Sequence, residues 1–261
     1  MSPALQEPGA FTPRPGAASL PRMLAAQSAL EIRMVLRNGE QLLITVAIPL
    51  LVLVVFGNVS FMSLHSRAER IDFLVPGVLA LAVMSTSFTG LAIGTGFERR
   101  YGALKRLGAS PLSRPALLGA KALSVLSIET LQIAVLALVA RLMGWSPHGS
   151  WAAALLLLVA GTAAFAGLAL LMAGSLRAEA TLAGANLVYL LLLVTGGIAV
   201  PLDRFPSSAR PILDALPSAA LSEGLRTVLR DGQVLPLWSV GVLAAWAVCA
   251  GLLAVRTFRW E

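Results

Sequence analysis

Six apolar runs, each close to the length a helix needs to cross a bilayer, limit what this chain can become. They fall at 41–57, 73–96, 115–139, 151–176, 181–200 and 237–255, and a helix needs ~20 residues to span a hydrocarbon core. No water reaches backbone amides there, so each crossing segment must satisfy its own N–H and C=O groups. The expected fold class is therefore all-α, a polytopic membrane protein with six transmembrane helices. Composition agrees, with 57% hydrophobic and 13% charged residues, where soluble domains carry roughly half and a quarter. The first run is the shortest and holds Pro49, which removes an intrahelical hydrogen bond and predicts a kink.

The charges sit between the runs. A net charge of +7 would by itself suit nucleic acid, but Arg and Lys gather in the connections, where the positive-inside bias accounts for them. No nucleic-acid partner is expected. Cytosolic termini place Arg14, Arg22, Arg33, Arg37, Arg99, Arg100, Lys105, Arg106, Arg114, Lys121, Arg177, Arg256 and Arg259 inside. Arg67, Arg70, Arg141, Arg204, Arg210, Arg226 and Arg230 then lie outside, where Asp203, Asp214, Glu223 and Asp231 balance the last four. That asymmetry predicts both termini in the cytosol, as an even number of spans also requires.

Ahead of the first run, residues 1–18 are rich in Pro, Gly and Ala and read as a disordered cytosolic tail. They lack a basic start leading into an apolar core, so no cleavable signal peptide is expected. Residues 19–40 read as an interfacial helix, with Ala25, Ala29, Ile32 and Leu36 on one arc and Arg33 and Arg37 beside it. Met23, Leu30 and Met34 form a second apolar arc, which suits a helix packed between lipid and protein equally well. Residues 41–261 form the six-span domain.

Enzymatic signatures are missing. The sequence holds no GxxxxGK[ST] phosphate loop, no HExxH and no GxSxG. Its two histidines, His65 and His148, fall in external connections, and Cys249 stands alone within an apolar run, which leaves no disulfide or thiolate metal cluster to build. No catalytic residue, metal site or bound cofactor is expected, and any work the chain performs must draw on energy supplied elsewhere.

Polar residues inside the runs are the candidates for function. Glu129 is the acidic side chain deepest within a run, where a carboxylate costs about 2.5–3.5 kcal/mol to insert. With Lys121, Ser124 and Gln132 it spreads over one broad face, suited either to a translocation path or to hydrogen bonds with neighbouring helices. Ser85 and Thr89, one turn apart in the second run, and Asn186 in the fifth have the same two readings. Ala163 and Gly167 offer a small-residue surface for close helix packing.

The connection at 97–121, FERRYGALKRLGASPLSRPALLGAK, differs from the others. At helical spacing Phe97, Tyr101 and Leu104 share a face opposite Arg99, Gly102 and Arg106. Such a segment can pack its apolar side while Glu98, Arg99, Arg100, Lys105 and Arg106 meet charges on a partner. An ordinary positive-inside loop is the plainer reading.

Two longer patterns carry a resemblance. Residues 72–123, DFLVPGVLALAVMSTSFTGLAIGTGFERRYGALKRLGASPLSRPALLGAKAL, have Val-Pro-Gly at a span entrance, then Glu-Arg, Gly-x-Leu-Lys-x-Leu and Pro-Leu-Ser-Arg. Residues 196–232, GGIAVPLDRFPSSARPILDALPSAALSEGLRTVLRDG, have spaced prolines ending in Leu-Arg. Both resemble ABC-2-type permeases, the membrane subunits of bacterial exporters for drugs, lipids and polysaccharides. Arg100 departs from the pattern, since many relatives carry an acidic residue there.

The resemblance implies a bacterial inner-membrane permease that pairs with a second permease chain, identical or paralogous, among membrane lipid. It also implies two copies of a separate ATPase subunit, which would use ATP and Mg on the permease's behalf. Residues 98–108 match the coupling helix that seats on the ATPase, and Pro201, Pro206, Pro217 and Arg226 fall in a segment that resembles an external gate. The function implied is ATP-driven export of a drug-like, lipid or other amphipathic substrate by alternating access. A passive channel or ion-driven transporter, and a non-transporting membrane scaffold, remain alternatives on the residues alone.

Overall fold

The computed structural model describes residues 18–59, 66–110, 112–198 and 202–258. The expected disorder of the 1–18 tail and the position of Pro201 lie outside those residues, apart from Ala18. Among them the fold is all-helical. Five segments are long and apolar enough to cross a membrane: Arg67–Arg100, Arg114–Leu142, Trp151–Ser175, Ala178–Thr195 and Leu237–Thr257. A shorter apolar stretch, Thr45–Asn58, coincides with the first run.

In chain order, α1 (Leu20–Arg37) and α2 (Gly39–Asn58) precede α3 (Arg67–Val83), which continues through a π-helical turn at Met84–Gly90 into α4 (Leu91–Arg100). Then come α5 (Ala103–Gly108), α6 (Arg114–Leu142), α7 (Trp151–Ser175) and α8 (Ala178–Thr195). A 3-10 turn at Leu202–Arg204 leads to α9 (Arg210–Asp214), α10 (Pro217–Leu229) and α11 (Leu237–Thr257). Serines set several starts. Ser66 and Glu69 form a reciprocal capping box at α3, and Ser113 and Ser150 accept from the backbone N–H three residues on at α6 and α7. Each satisfies an amide that a helix start leaves without a partner.

The core lies around the α3–π–α4 rod, whose Val75, Leu79, Val83, Met84, Phe88 and Ala92 are buried. Helix α7 packs along α11, and a Cβ at Gly167 would come within 3.1 Å of the Gly251 backbone and 3.2 Å of Ala250 Cβ. A side chain there would be tight enough that the neighbouring helix must give way by a few tenths of an ångström. Ala163 is exposed, so the small-residue pair expected from the sequence splits, with Gly167 alone at the interface.

Helix α1 turns its polar side inward. Gln27, Ser28 and Glu31 are its buried residues, while Leu20, Leu30, Met34 and Leu36 are exposed. Ser28 Oγ donates to Ala120 O of α6 at 3.1 Å. Of the expected apolar arc, Ala25, Ala29 and Leu36 face outward. Arg22, Arg33 and Arg37 are exposed beside those apolar residues, so only the uncharged and acidic polar residues of α1 are sheltered.

Candidate functional site

The rod breaks regular α-geometry where its hydroxyls concentrate. Ser85 Oγ donates to Leu81 O at 2.8 Å and Ser87 Oγ to Val83 O at 2.6 Å, both carbonyls of the preceding turn. Such back-bonding competes with the backbone ladder, and the chain widens into a π-turn over Met84–Gly90. Single π-turns recur at functional positions in helices. This one forms the wall of a cavity.

That cavity, about 700 Å³, is lined by Asn38, Thr45, Ile48, Pro49, Ser85, Thr89, Gly90, Ile93, Gly94, Asn186 and Tyr189. Its walls are therefore α2, the π-turn, α4 and α8, with Asn38 at the α1–α2 junction. Ser85 Oγ and Tyr189 Oη lie 3.1 Å apart and bridge the π-turn to α8. The polar lining consists of hydroxyls and amides with no ionisable carboxylate or amine, and Ile48, Pro49 and Ile93 supply apolar surface. Such a lining accepts an amphipathic molecule without desolvating a charge. Ser85, Thr89 and Asn186, for which the sequence left both a path and an interhelical packing role open, are brought together here. Sequence reasoning missed Tyr189, one of two tyrosines in the chain, although it lies three residues from Asn186 on a helical face.

Glu129 and Gln132 line neither this cavity nor the one beside it. Both are buried contacts between helices: Thr162 Oγ1 of α7 lies 2.5 Å from Glu129 Oε2, and Gln132 bonds the π-turn and α2. Of the two readings open for that face, these two residues take the interhelical one.

The second cavity, about 240 Å³, adjoins the first through Asn38, Thr45, Gly90 and Gly94. Lys121 on its wall is 1% exposed and sits between two carboxylates, 2.9 Å from Glu31 Oε1 and 2.6 Å from Glu98 Oε2. Gln27 Nε2 also donates to Glu31 at 3.0 Å. The triad ties α1, α4 and α6 together where α4 ends.

The 97–121 connection starts at that knot. Helix α4 stops at Arg100, Gly102 turns the chain at φ 72°, and α5 begins at Ala103. Phe97, Tyr101 and Leu104 therefore do not share one continuous helical face as the spacing predicts. Phe97 and Tyr101 rings stack with centroids 6.1 Å apart. Leu104 is fully buried and Tyr101 is 70% exposed.

The charges divide as well. Glu98 pairs with Lys121, and Arg99 donates to Gly174 O at 3.0 Å and to Leu176 O, placing a cation on the carbonyls at the end of α7. Arg100 pairs with Glu179 in the first turn of α8. Lys105 and Arg106 are exposed on α5. Tyr101, Lys105 and Arg106 are exposed together with Arg100, while Glu98 and Arg99 make contacts within the chain.

On the opposite side of the rod, α10 is buried on almost every face. Arg226 is 3% exposed, 2.5 Å from Glu223, within 3.4 Å of Ile198 O and 4.2 Å above the Phe73 ring. Burial lowers its proton affinity from the usual arginine value, and the Glu223 carboxylate offsets part of this. Pro217 is buried at the first position of α10, and Pro206 is exposed in the turn before α9. Ser222 Oγ donates to Gly196 O at 2.6 Å, which ties α10 to the end of α8.

Long apolar helices around a buried rod, with an amphipathic cavity against its π-turn, define a multi-pass membrane protein built for transport. Residues 26–230 match the family model described as ABC-2 type transporter, and the chain belongs to that family. It is similar to the "Putative transport permease YvfS" of Bacillus subtilis (strain 168), 28% identical over 243 residues that cover 89% of this chain and 95% of the relative. The protein is a membrane transport permease.

Proposed function

We propose that the chain is the permease subunit of an ATP-driven exporter that moves an amphipathic, drug-like or lipid substrate out of the cytoplasm. The observation that carries this reading is the cavity of about 700 Å³ against the π-turn, lined by Ser85, Thr89, Asn186 and Tyr189. Its walls α2 and α8 also present large exposed apolar residues, among them Leu51, Val55, Leu187 and Leu191. A second permease chain, identical or paralogous, would close the path from that side, with membrane lipid around the pair. Thr45–Asn58 would complete six spans with both termini in the cytosol of a bacterial inner membrane, as the Arg and Lys distribution favours.

The chain has no phosphate loop of its own, so a separate ATPase, two copies per complex, would bind ATP and Mg. Helix α5 and Tyr101 would seat on it. Closure of the ATPase pair would push this turn, and the Glu31–Lys121–Glu98 knot and the Arg99 contacts would carry the push into α4, α6 and α7 as rigid-body displacement. Arg226, Pro206 and Pro217 lie on the far side, where α9 and α10 would form the external gate with Pro201.

The test is a double variant, Tyr101→Ala with Arg106→Glu, which keeps the ion pairs and hydrogen bonds of Glu98, Arg99 and Arg100 and removes the Phe97–Tyr101 stack. The expected outcome is a permease that still reaches the membrane but retains less ATPase on purification and loses ATP-dependent export. Wild-type ATPase retention together with unchanged export would remove α5 as the coupling element.

A further inference from the structure

Pro49 and Gln132 are linked by a hydrogen bond whose logic is visible in the backbone. In an α-helix the N–H of residue 49 would donate to the carbonyl of residue 45, but proline has no N–H. Thr45 O thus loses its usual helical donor. Gln132 Nε2, from α6, donates to that same carbonyl at 2.8 Å. The Gln132 side-chain oxygen in turn accepts from Thr86 Oγ1 of the π-turn at 2.9 Å. Gln132 is 1% exposed and Thr86 is buried, so water offers little replacement. One amide therefore joins the weak point of α2, the middle of α6 and the π-turn.

Its position bears on the cavity. Thr45 and Pro49 both line the large cavity, and Ser85 and Thr89 of the π-turn form the opposing wall. The Thr45 carbonyl requires a donor, which the Gln132 amide supplies, while its oxygen pairs with the Thr86 hydroxyl. Methionine would fill the space and make neither bond.

We propose that Gln132 is a positioning residue that clamps the Pro49 hinge of α2 to the π-turn and so sets the width of the cavity. Releasing this clamp lets the α2 wall move. The bearing of the clamp on transport rests on the cavity being the substrate path, whereas the clamp itself does not, and the two are tested apart.

The reporter is Ile93→Cys, on the wall facing α2, in a Cys249→Ser background, with N-ethylmaleimide as the probe in native membranes. Gln132→Met is expected to raise the labelling rate about fivefold, the equilibrium equivalent of one buried hydrogen bond. With Pro49→Ala also present, the helix supplies its own donor to Thr45 O, and the effect of Gln132→Met is expected to vanish. A Gln132→Met change that acts equally in both backgrounds, or that leaves labelling unchanged where Pro49 is retained, would overturn the proposal.

Folding is covered by a second readout. A Gln132→Met chain that accumulates poorly in the membrane should be restored by Pro49→Ala, and equal failure in the two backgrounds counts against the clamp. Poor accumulation of Pro49→Ala alone would also count against it, because a restored helical bond should be no less stable. A clamp that passes these tests while Tyr189→Ala and Asn186→Leu leave export untouched would stand, and only the assignment of the cavity as the path would fall.

Discussion

Lys121 shows why a single side chain deep in the molecule can matter more than the basic surface around it. It is 1% exposed and holds Glu31 and Glu98 at 2.9 and 2.6 Å. Removing one member of a buried ion pair strands the charge left behind, so Lys121→Met should destabilise the purified protein by about 3 kcal/mol. Thermal unfolding in detergent measures this. Adding Glu31→Gln and Glu98→Gln should recover most of the loss, because no uncompensated charge then remains. A triple variant no more stable than Lys121→Met would mean that the lysine stem, and not its charge, supports the knot. Arg100 and Glu179 pair at the surface, with side chains 51% and 65% exposed, and a pair so solvated contributes little. The sequence marked Lys121 as a cytosolic cation and a member of a polar face but not as an ion-pair centre, since its partners lie 90 and 23 residues away.

Among the elements, the π-turn and the α4–α5 corner are where local backbone chemistry departs from regular helix. At Gly102 the left-handed φ of 72° is needed, yet a Cβ there would meet nothing within 4 Å. Gly102→Ala should therefore cost about 1 kcal/mol of conformational strain with no clash. Hydrogen exchange should quicken across Ala103–Gly108 and stay unchanged in α7 and α11; protection unaltered in α5 would show that the corner tolerates the change. The long helices were legible because length and hydropathy leave a membrane chain few choices. The π-turn was not, because Ser85 and Thr89 read equally as ordinary packing residues, and the back-bonds of Ser85 and Ser87 appear only in the structure. The shared face of Phe97, Tyr101 and Leu104 failed for a related reason: helical spacing assumes a continuous helix, and one left-handed glycine interrupts it. The orientation of α1 was hidden by its surroundings, since an amphipathic pattern does not say whether its apolar arc meets protein or lipid.

At the scale of the whole molecule, the cavity and the α4–α5 turn lie along one helical rod. The rod from Arg67 to Arg100 runs from the Arg226 and Phe73 contact, past the cavity wall, to the Lys121 knot. Tight packing along it makes displacement at one end felt at the other. Ser85, Thr89 and Asn186 were legible as path candidates because a polar residue in an apolar run has few roles, while Thr45, Pro49 and Tyr189 joined them only through the fold. The direct measurement is to purify the tagged chain from its native membranes and assay what comes with it. A stoichiometric P-loop ATPase whose hydrolysis rises when amphipathic compounds are added is the predicted result. A chain that purifies without an ATPase and still moves those compounds across reconstituted vesicles would contradict an ATP-driven permease.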